Sequence, residues 1–279
     1  MALKKGVTTS RRIRILEQVL TSGFTSIRDL ASIFHERQDT VKRDVMFWAS
    51  QYPLLHLTEE NEVIALPYCP NDDSFLRRLS VNVAEKLKIA KYVVDEIIQP
   101  HDSVCFCGAT SSFFVVKEVA YRGFHSLTVF VNNLYFLNLL HRVVSDLHLI
   151  SGLLQRDRAL TTPTDNSDAE FARYGVSKSF LGFDGIAYPD GIFASPQWTP
   201  LFRSILRNTK DKVYLIGDHT KVGKMPRRKV IGFDELEQLT SDYLVITTKP
   251  EEGGEQEARL TQQFNEAVEK FPDGKIKVL

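Results

Sequence analysis

The chain has 279 residues, 43% of them hydrophobic and 25% charged, with 35 basic side chains against 35 acidic; that length suits one large core plus a small satellite domain. No apolar run approaches the roughly 18 residues that a membrane-spanning helix needs, and Met1-Ala-Leu-Lys-Lys-Gly6 lacks the apolar stretch of a signal peptide. Cys69, Cys105 and Cys107 have no disulfide-scaffold spacing, so membrane and secreted classes are set aside and a cytoplasmic protein with free thiols is expected.

The charge is unevenly spread. Residues 1–50 hold nine basic and five acidic side chains, a net +4, and the remainder carries −4; a basic head on a mildly acidic body points toward nucleic acid. Ser10 is placed to cap a first helix whose apolar positions Ile13, Leu16, Val19 and Leu20 recur at helical spacing, and Gly23 is placed to end it. Ser26 and Asp29 form a variant capping box ahead of Ile27, Leu30, Ala31 and Phe34. After the turn His35 to Gln38, a third helix buries Val41, Val45 and Trp48 and turns Gln38, Thr40, Lys42 and Arg43 outward. Three short helices joined by tight turns match a helix-turn-helix, whose last helix reads the major groove from its N-terminal end. Arg37, Gln38, Thr40, Lys42 and Arg43 are therefore the candidate contacts to double-stranded DNA. The alternative is that they form the solvated face of a small helical bundle; the charge asymmetry favours DNA. Leu54-Leu-His-Leu-Thr58 and Val63-Ile-Ala-Leu66 bracket Glu59-Glu-Asn-Glu62, a hairpin that would serve as a wing. Three glutamates at its tip would repel phosphates, so the wing is expected to pack structurally and stay out of a groove.

Residues 67–79, polar and containing Pro67, Pro70 and Asn71-Asp-Asp73, read as a linker. A helix is expected from Leu79 to Ile98. Beyond it, short apolar runs begin at Ser103, Leu127, Leu147, Ser179, Lys212 and Asp242, with helical segments between them. This alternation predicts a mostly parallel sheet covered by helices, with ligands at the carboxyl ends of the strands. The loops that follow the runs are Gly108-Ala-Thr-Ser-Ser112, Asn132-Asn133, Ser151-Gly152, Asp184-Gly185 and Asp218-His-Thr-Lys221. Small hydroxyl residues after a glycine at a helix start, with a lysine nearby, describe a phosphate pocket; each loop singly also reads as ordinary turn chemistry.

The stretch Arg12-Ile-Arg-Ile-Leu16 to Asp39-Thr-Val-Lys-Arg-Asp-Val45 resembles the N-terminal signature of DeoR-type regulators. Thr40-Val-Lys-Arg-Asp44 carries the match, Arg37 stands where that family commonly has serine, and its basic segment near the wing is absent. The resemblance extends from Leu87 to about Thr248 through Cys107-Gly-Ala-Thr-Ser111, Val131-Asn132, Ile150-Ser-Gly152, Phe180-Leu-Gly182 with Gly185-Ile186, and Asp218-His-Thr-Lys221 with Gly223. Cys107 occupies the place of the family's aspartate, Gln197-Trp-Thr-Pro200 that of a glutamate, and Thr248 that of an acidic strand end. The resemblance implies an α/β protein: a winged helix-turn-helix over 1–66, a linker over 67–79, and over 80–279 an effector-sensing domain. That domain is similar to ribose-phosphate isomerase and glucosamine-phosphate deaminase folds. It further implies a transcription repressor of a carbohydrate operon, a phosphorylated sugar or related effector, and a symmetric homo-dimer or homo-tetramer. Gly108, Thr110, Ser111, Asn132, Gly152, Asp184 and Lys221 are the candidate effector residues.

Two rival readings stand beside this one. An isomerase or deaminase on the same sheet would need a carboxylate to move a proton beside a carbonyl; Cys107 is not one, and only Asp184 or Asp218 could substitute. A DNA binder controlled by a partner, or by nothing, would have a degenerate pocket. Cys105 and Cys107 are expected as buried structural thiols, since two thiols do not complete a zinc site. No metal, cofactor or catalytic residue is assigned.

Overall fold

The computed structural model describes residues 11–279 except 13, 17, 20, 21, 23, 52–54, 66–74, 76, 77, 79, 80, 156–159, 163–171, 174, 227, 241, 252 and 253. The expected cap Ser10, the stop Gly23, the apolar positions Ile13 and Leu20 and the prolines of the expected linker lie outside the described residues.

In the head, the described residues of 11–22 are helical. They bury Ile15 and Val19 four apart, so the first helix packs on a register that includes Ile15, which the periodicity had not singled out. Next come β1 (Phe24–Ser26), α1 (Ile27–Phe34), α2 (Gln38–Gln51), β2 (Leu55–Leu57) and β3 (Glu62–Ala65). Ser26 caps α1 as expected: its hydroxyl accepts from the Asp29 N–H at 3.0 Å and donates to the Asp29 carboxylate at 2.7 Å. His35, at φ 52°, ends α1 in the left-handed region, as a C-terminal cap does. The hairpin gains a third strand that sequence pattern did not reveal, because β1 pairs antiparallel with β3, Ser26 opposite Glu62. Glu62 therefore leaves the expected tip for strand β3, so that two of the three glutamates, Glu59 and Glu60, remain exposed at the turn. Ile15, Val19, Ile27, Leu30, Val41, Val45, Leu55 and Val63 form the core of the head.

The body opens with α3 (Val83–Tyr92), whose end is a π-turn through Ile97, and continues through β4 (Ser103–Phe106), α4 (Thr110–Arg122), β5 (Thr128–Val131), α5 (Leu134–Leu140) and β6 (Asp146–Leu149). After β7 (Leu153–Gln155) and β8 (Leu160–Thr162) follow β9 (Lys178–Gly182), β10 (Gly185–Ala187), β11 (Gly191–Phe193), α6 (Thr199–Asn208), β12 (Lys212–Ile216), β13 (Lys229–Ile231), α7 (Phe233–Leu239), β14 (Tyr243–Thr247), α8 (Glu255–Val268) and β15 (Ile276–Val278). Seven strands make one parallel sheet in the order β15-β14-β12-β9-β4-β5-β6. Each of the six apolar runs read from the sequence is one of these strands, and β15 is the addition.

Alternation along the strands divides the core. Val104, Phe106, Val129, Val131, Phe180 and Ile216 pack with α3, α4 and α5; Cys105, Cys107, Phe130, Leu181, Leu215 and Val245 pack with α6, α7 and α8. Burial on both faces is why these strands read as continuous apolar runs.

The topology fixes the place of the site. From β4 the chain steps outward through β5 to β6, whereas β9, β12, β14 and β15 step the opposite way. The direction reverses between β4 and β9, and open sheets bind ligands in the crevice outside the carboxyl ends of the strands at such a switch point.

Candidate functional site

Residues 107–110 leave β4 and residues 182–184 leave β9 on the two sides of this crevice. The first loop is pinned by main-chain bonds from Cys107 N to Phe180 O at 3.1 Å and from Ala109 N to Cys107 O at 2.7 Å. Gly108 N–H donates to the buried Asn132 Oδ1 at 2.9 Å, and Asn132 in turn donates to Thr161 O at 3.2 Å. Gly182 permits the approach of the two loops, because a Cβ there would lie 2.1 Å from the Ala109 Cβ. Helix α4 starts at Thr110 with no side-chain cap and no acidic residue in its first turn. Its first-turn N–H groups lack helical acceptors and carry the positive end of the helix dipole.

A cavity of about 90 Å³ opens between these loops, lined by Gly108, Thr110, Asp184, Trp198 and Lys221 among others, and it runs into a second hollow that shares Arg78, Thr110, Asp184 and Lys221. Lys221 Nζ stands 3.9 Å from Asp218 Oδ2. Asp218, 2% exposed, also accepts from the Thr220 hydroxyl, from Thr220 N at 3.2 Å and from Asn82 Nδ2 at 2.9 Å. Burial alone would raise its carboxyl pKa; Lys221, these hydrogen bonds and Lys86 outweigh that and hold it below the usual carboxylate value. Burial lowers Lys221, against the pull of Asp218 and Asp184. Lys86 is pushed down to about 8 by burial and then by repulsion from Lys221 and Arg78. Arg78, Lys86, Lys221 and Lys224 thus face Asp184 and Asp218 around the second hollow, an excess of positive side chains suited to an anion.

The structure brings Gly108, Thr110, Asp184 and Lys221 together around the cavity. Asn132 sits behind Gly108 as a scaffold, and Ser111 is buried behind Thr110 with a hydroxyl that finds no partner among the described residues. Gly152 is exposed at φ 152° in the turn between β6 and β7 and is not part of the lining. Sequence reasoning missed Arg78, Asn82 and Lys86. Two residues of the segment read as a linker, Phe75 and Arg78, line the cavity, and Phe75 is buried; an apolar anchor inside a polar tract left no periodic pattern to detect.

Both carboxylates are engaged. Asp184 pairs with Arg78 at 3.4 Å, and Asp218 is held ionised by a lysine and two hydrogen-bond donors. The Cys107 thiol is pushed far up by burial and by Cys105, which keeps it neutral.

On the head, α2 presents Gln38, Asp39, Arg43 and Met46 to solvent, with Arg37 just before it. Lys42 is corrected from the outward face to the hairpin side, where its Nζ donates to Asn61 Oδ1 at 2.6 Å. Thr40, half-buried, falls on the opposite flank, since two residues are about 200° apart around a helix. Met46, 54% exposed, is the apolar group at the centre of this face that the pattern passed over. The basic excess is also partly internal. Arg11 Nε and Arg12 Nε donate to the buried Asp44 at 2.7 and 2.8 Å, and Arg11 also reaches Glu36 at 3.1 Å. The indole N–H of Trp48 donates to Arg12 O at 2.7 Å. No helix among the described residues is long and apolar enough to cross a membrane.

The chain is 22% identical over 244 residues to the HTH-type transcriptional regulator IolR of Bacillus subtilis, covering 86% of this chain and 91% of that protein. It is 20% identical over 236 residues to the uncharacterized HTH-type transcriptional regulator YulB of the same organism, covering 85% and 89%. Among solved structures it is similar to CurK enoyl reductase at 14% identity and a TM-score of 0.36, over 78% of this chain and 56% of that one. The DeoR C terminal sensor domain matches residues 81–243, more than half of the chain. The chain therefore belongs to the family of the DeoR C terminal sensor domain.

Proposed function

We propose that this protein is a DNA-binding transcriptional regulator, a repressor of a carbohydrate or related metabolic operon. Residues 1–66 act as a winged helix-turn-helix, and residues 80–279 bind a phosphorylated sugar or similar metabolite that changes DNA affinity. The DNA-binding half is supported by two relatives named as HTH-type regulators over nearly their whole length. It is supported also by the exposed start of α2, where Arg37, Gln38 and Arg43 stand clear of the body of the head. Arg43 holds phosphate and Gln38 reads base edges; Thr40 and Lys42 contact the groove walls from the flanks.

The observation that carries the sensor half is the convergence of Lys221, Arg78 and the uncapped start of α4 on one cavity at the switch point. Thr110 and the N–H groups of its turn receive the phosphate, Lys221 neutralises it, and Asp184 accepts from sugar hydroxyls. A symmetric oligomer is part of this reading. Exposed Leu149, Leu153 and Leu154 lie at and just beyond the edge strand β6, apolar surface that a second copy would cover.

The test pairs thermal-shift and electrophoretic-mobility assays on the full chain with its own upstream DNA and a panel of phosphosugars. A ligand that raises Tm and alters DNA affinity is expected, and Lys221→Ala should weaken that ligand while sparing DNA binding without it. No shift with any phosphosugar, and DNA affinity indifferent to all, would replace this reading with a partner-controlled regulator. Turnover of a phosphosugar abolished by Asp184→Asn would replace it with an enzyme.

A further inference from the structure

The cavity has two unlike ends. Thr110, Asp184 and Lys221 line both the cavity and the second hollow, so polar and charged groups gather where the two meet. Cys107, Leu160, Phe183, Ala194, Trp198 and Phe202 line the cavity alone. Among the described residues, Ser195 is the one polar side chain that joins them there. Trp198 is half-buried and the other five are buried. This wall is the rim of the core beneath α6, α7 and α8, to which Cys107, Phe183, Ala194 and Phe202 belong and against which Trp198 packs. Two glycines let it close in. A Cβ on Gly217 would lie 2.7 Å from Phe183 Cζ, and one on Gly108 would lie 3.3 Å from Trp198 Cη2, so the indole edge comes up to the very loop that starts α4.

We propose that the effector is a phosphate monoester of a short, largely apolar alcohol, with its phosphate held at Thr110 and Lys221 and its carbon chain laid against this wall. The inference rests on the sensor reading above and narrows its ligand class, making a polyhydroxy sugar phosphate the poorer ligand. Each methylene moved from water onto an apolar wall strengthens binding about fourfold. A hydroxyl moved there without a partner weakens it about fivefold or more. The polar groups behind the wall are already committed. Asn132 Oδ1 accepts from Gly108 N–H at 2.9 Å, and the Cys107 thiol, raised by burial, stays neutral. Ser195 and Asp184 remain as the side chains placed to meet a hydroxyl, which suits an alcohol carrying one such group better than a sugar carrying several. Size points the same way: the cavity of about 90 Å³ is smaller than the roughly 150 Å³ that takes in benzene, which limits the chain to about three or four carbons.

The test titrates the full, unaltered chain by calorimetry with inorganic phosphate, n-propyl phosphate and glycerol phosphate. The two esters have the same carbon skeleton and differ only in the hydroxyls of the glycerol. Propyl phosphate is expected to bind at least about tenfold more tightly than inorganic phosphate and at least about fivefold more tightly than glycerol phosphate. Its heat-capacity change should also be the more negative of the two esters, the mark of apolar burial. Trp198→Ala should shrink the gain of propyl phosphate over inorganic phosphate, and Trp198→Phe should keep most of it. If glycerol phosphate binds as tightly as propyl phosphate, or if Trp198→Ala leaves the gain untouched, the apolar wall does not select the ligand and the inference is overturned while the sensor reading stands. If neither phosphate nor either ester binds, both fall.

Discussion

Asp44 is the residue whose removal the structure makes most consequential for the head. Its side chain is 3% exposed and accepts from two guanidiniums, Arg11 at 2.7 Å and Arg12 at 2.8 Å, so it clamps the first helix to α2 beneath the surface proposed to face DNA. Hydrogen bonds to charged groups contribute about 1.5–3 kcal/mol each. Asp44→Ala breaks two, and because Arg11 and Arg12 keep 17% and 28% exposure they can turn to water, which holds the cost near the lower bound, about 3 kcal/mol. Natural domains retain roughly 0.05–0.15 kcal/mol per residue, so a head of 66 residues loses between about a third and most of its margin. Trp48 packs against the core of the head and Trp198 lines the cavity; in a Trp198→Phe background, urea unfolding followed by fluorescence reports the head alone. Arg12→Ala should cost about half as much as Asp44→Ala, and Arg11→Ala on top of Asp44→Ala should add less than it costs alone, since only its contact with Glu36 is left to lose. DNA binding should fall with head stability. A loss below about 1 kcal/mol for Asp44→Ala, or full additivity with Arg11→Ala, would refute the clamp.

Four further outcomes are expected. Arg43→Ala should weaken binding to all DNA sequences and reduce the salt slope by about one, whereas Gln38→Ala should change sequence preference in a competition assay; unchanged binding in both removes α2 from the groove. Gly182→Ala drives a methyl to within 2.1 Å of the Ala109 Cβ, so it should cost about 1–3 kcal/mol of stability and abolish phosphate binding in a titration; wild-type values for both would mean that the two loops do not need to touch. Lys86 has its pKa lowered from 10.5 to about 8, so the unfolded chain binds the extra proton between those values and stability must rise with pH across that window, by at most about 3 kcal/mol. The penalty is complete below pH 8, and Lys86→Met should flatten the rise in a pH series of urea midpoints. Leu153→Glu should shift the sedimentation of the full chain toward a monomer, and an unchanged sedimentation coefficient would move the interface elsewhere.

What could be read from the sequence followed from how each element is buried. The inner strands β14, β12, β9, β4 and β5 are covered on both faces and therefore appear as apolar runs, whereas β15 is an edge strand whose Ile276-Lys277-Val278 is half-buried at best. The loops of the cavity were legible because backbone geometry at a strand-to-helix turn demands glycine and small hydroxyl residues. Arg78 was not, since nothing in a polar tract marks the point where one side chain folds back onto the body. Charge misled in a different way. Counting Arg11 and Arg12 in the basic excess of residues 1–50 ignored Asp44, thirty-three and thirty-two residues away, and pairing at that separation has no local signature. Glu62 was misplaced for the same reason: it pairs with Lys117 of α4, fifty-five residues on.

Cys107 bears on the cavity through what it withholds. An aspartate at this position, as the family resemblance leads one to expect, would place a further carboxylate in the cavity with Arg78 and Lys221 and offset part of the positive charge there. The buried thiol stays neutral and leaves the two carboxylates, Asp184 and Asp218, outnumbered by the cations. Asp218 is moreover committed to Lys221, Thr220 and Asn82. In the proposed reading, the substitution removes an acceptor for a sugar hydroxyl and in the same step deepens the positive potential toward an anion. A cavity of this composition trades recognition of sugar hydroxyls for attraction to the anion, and Cys107→Asp should reverse that balance, weakening inorganic phosphate relative to phosphate esters.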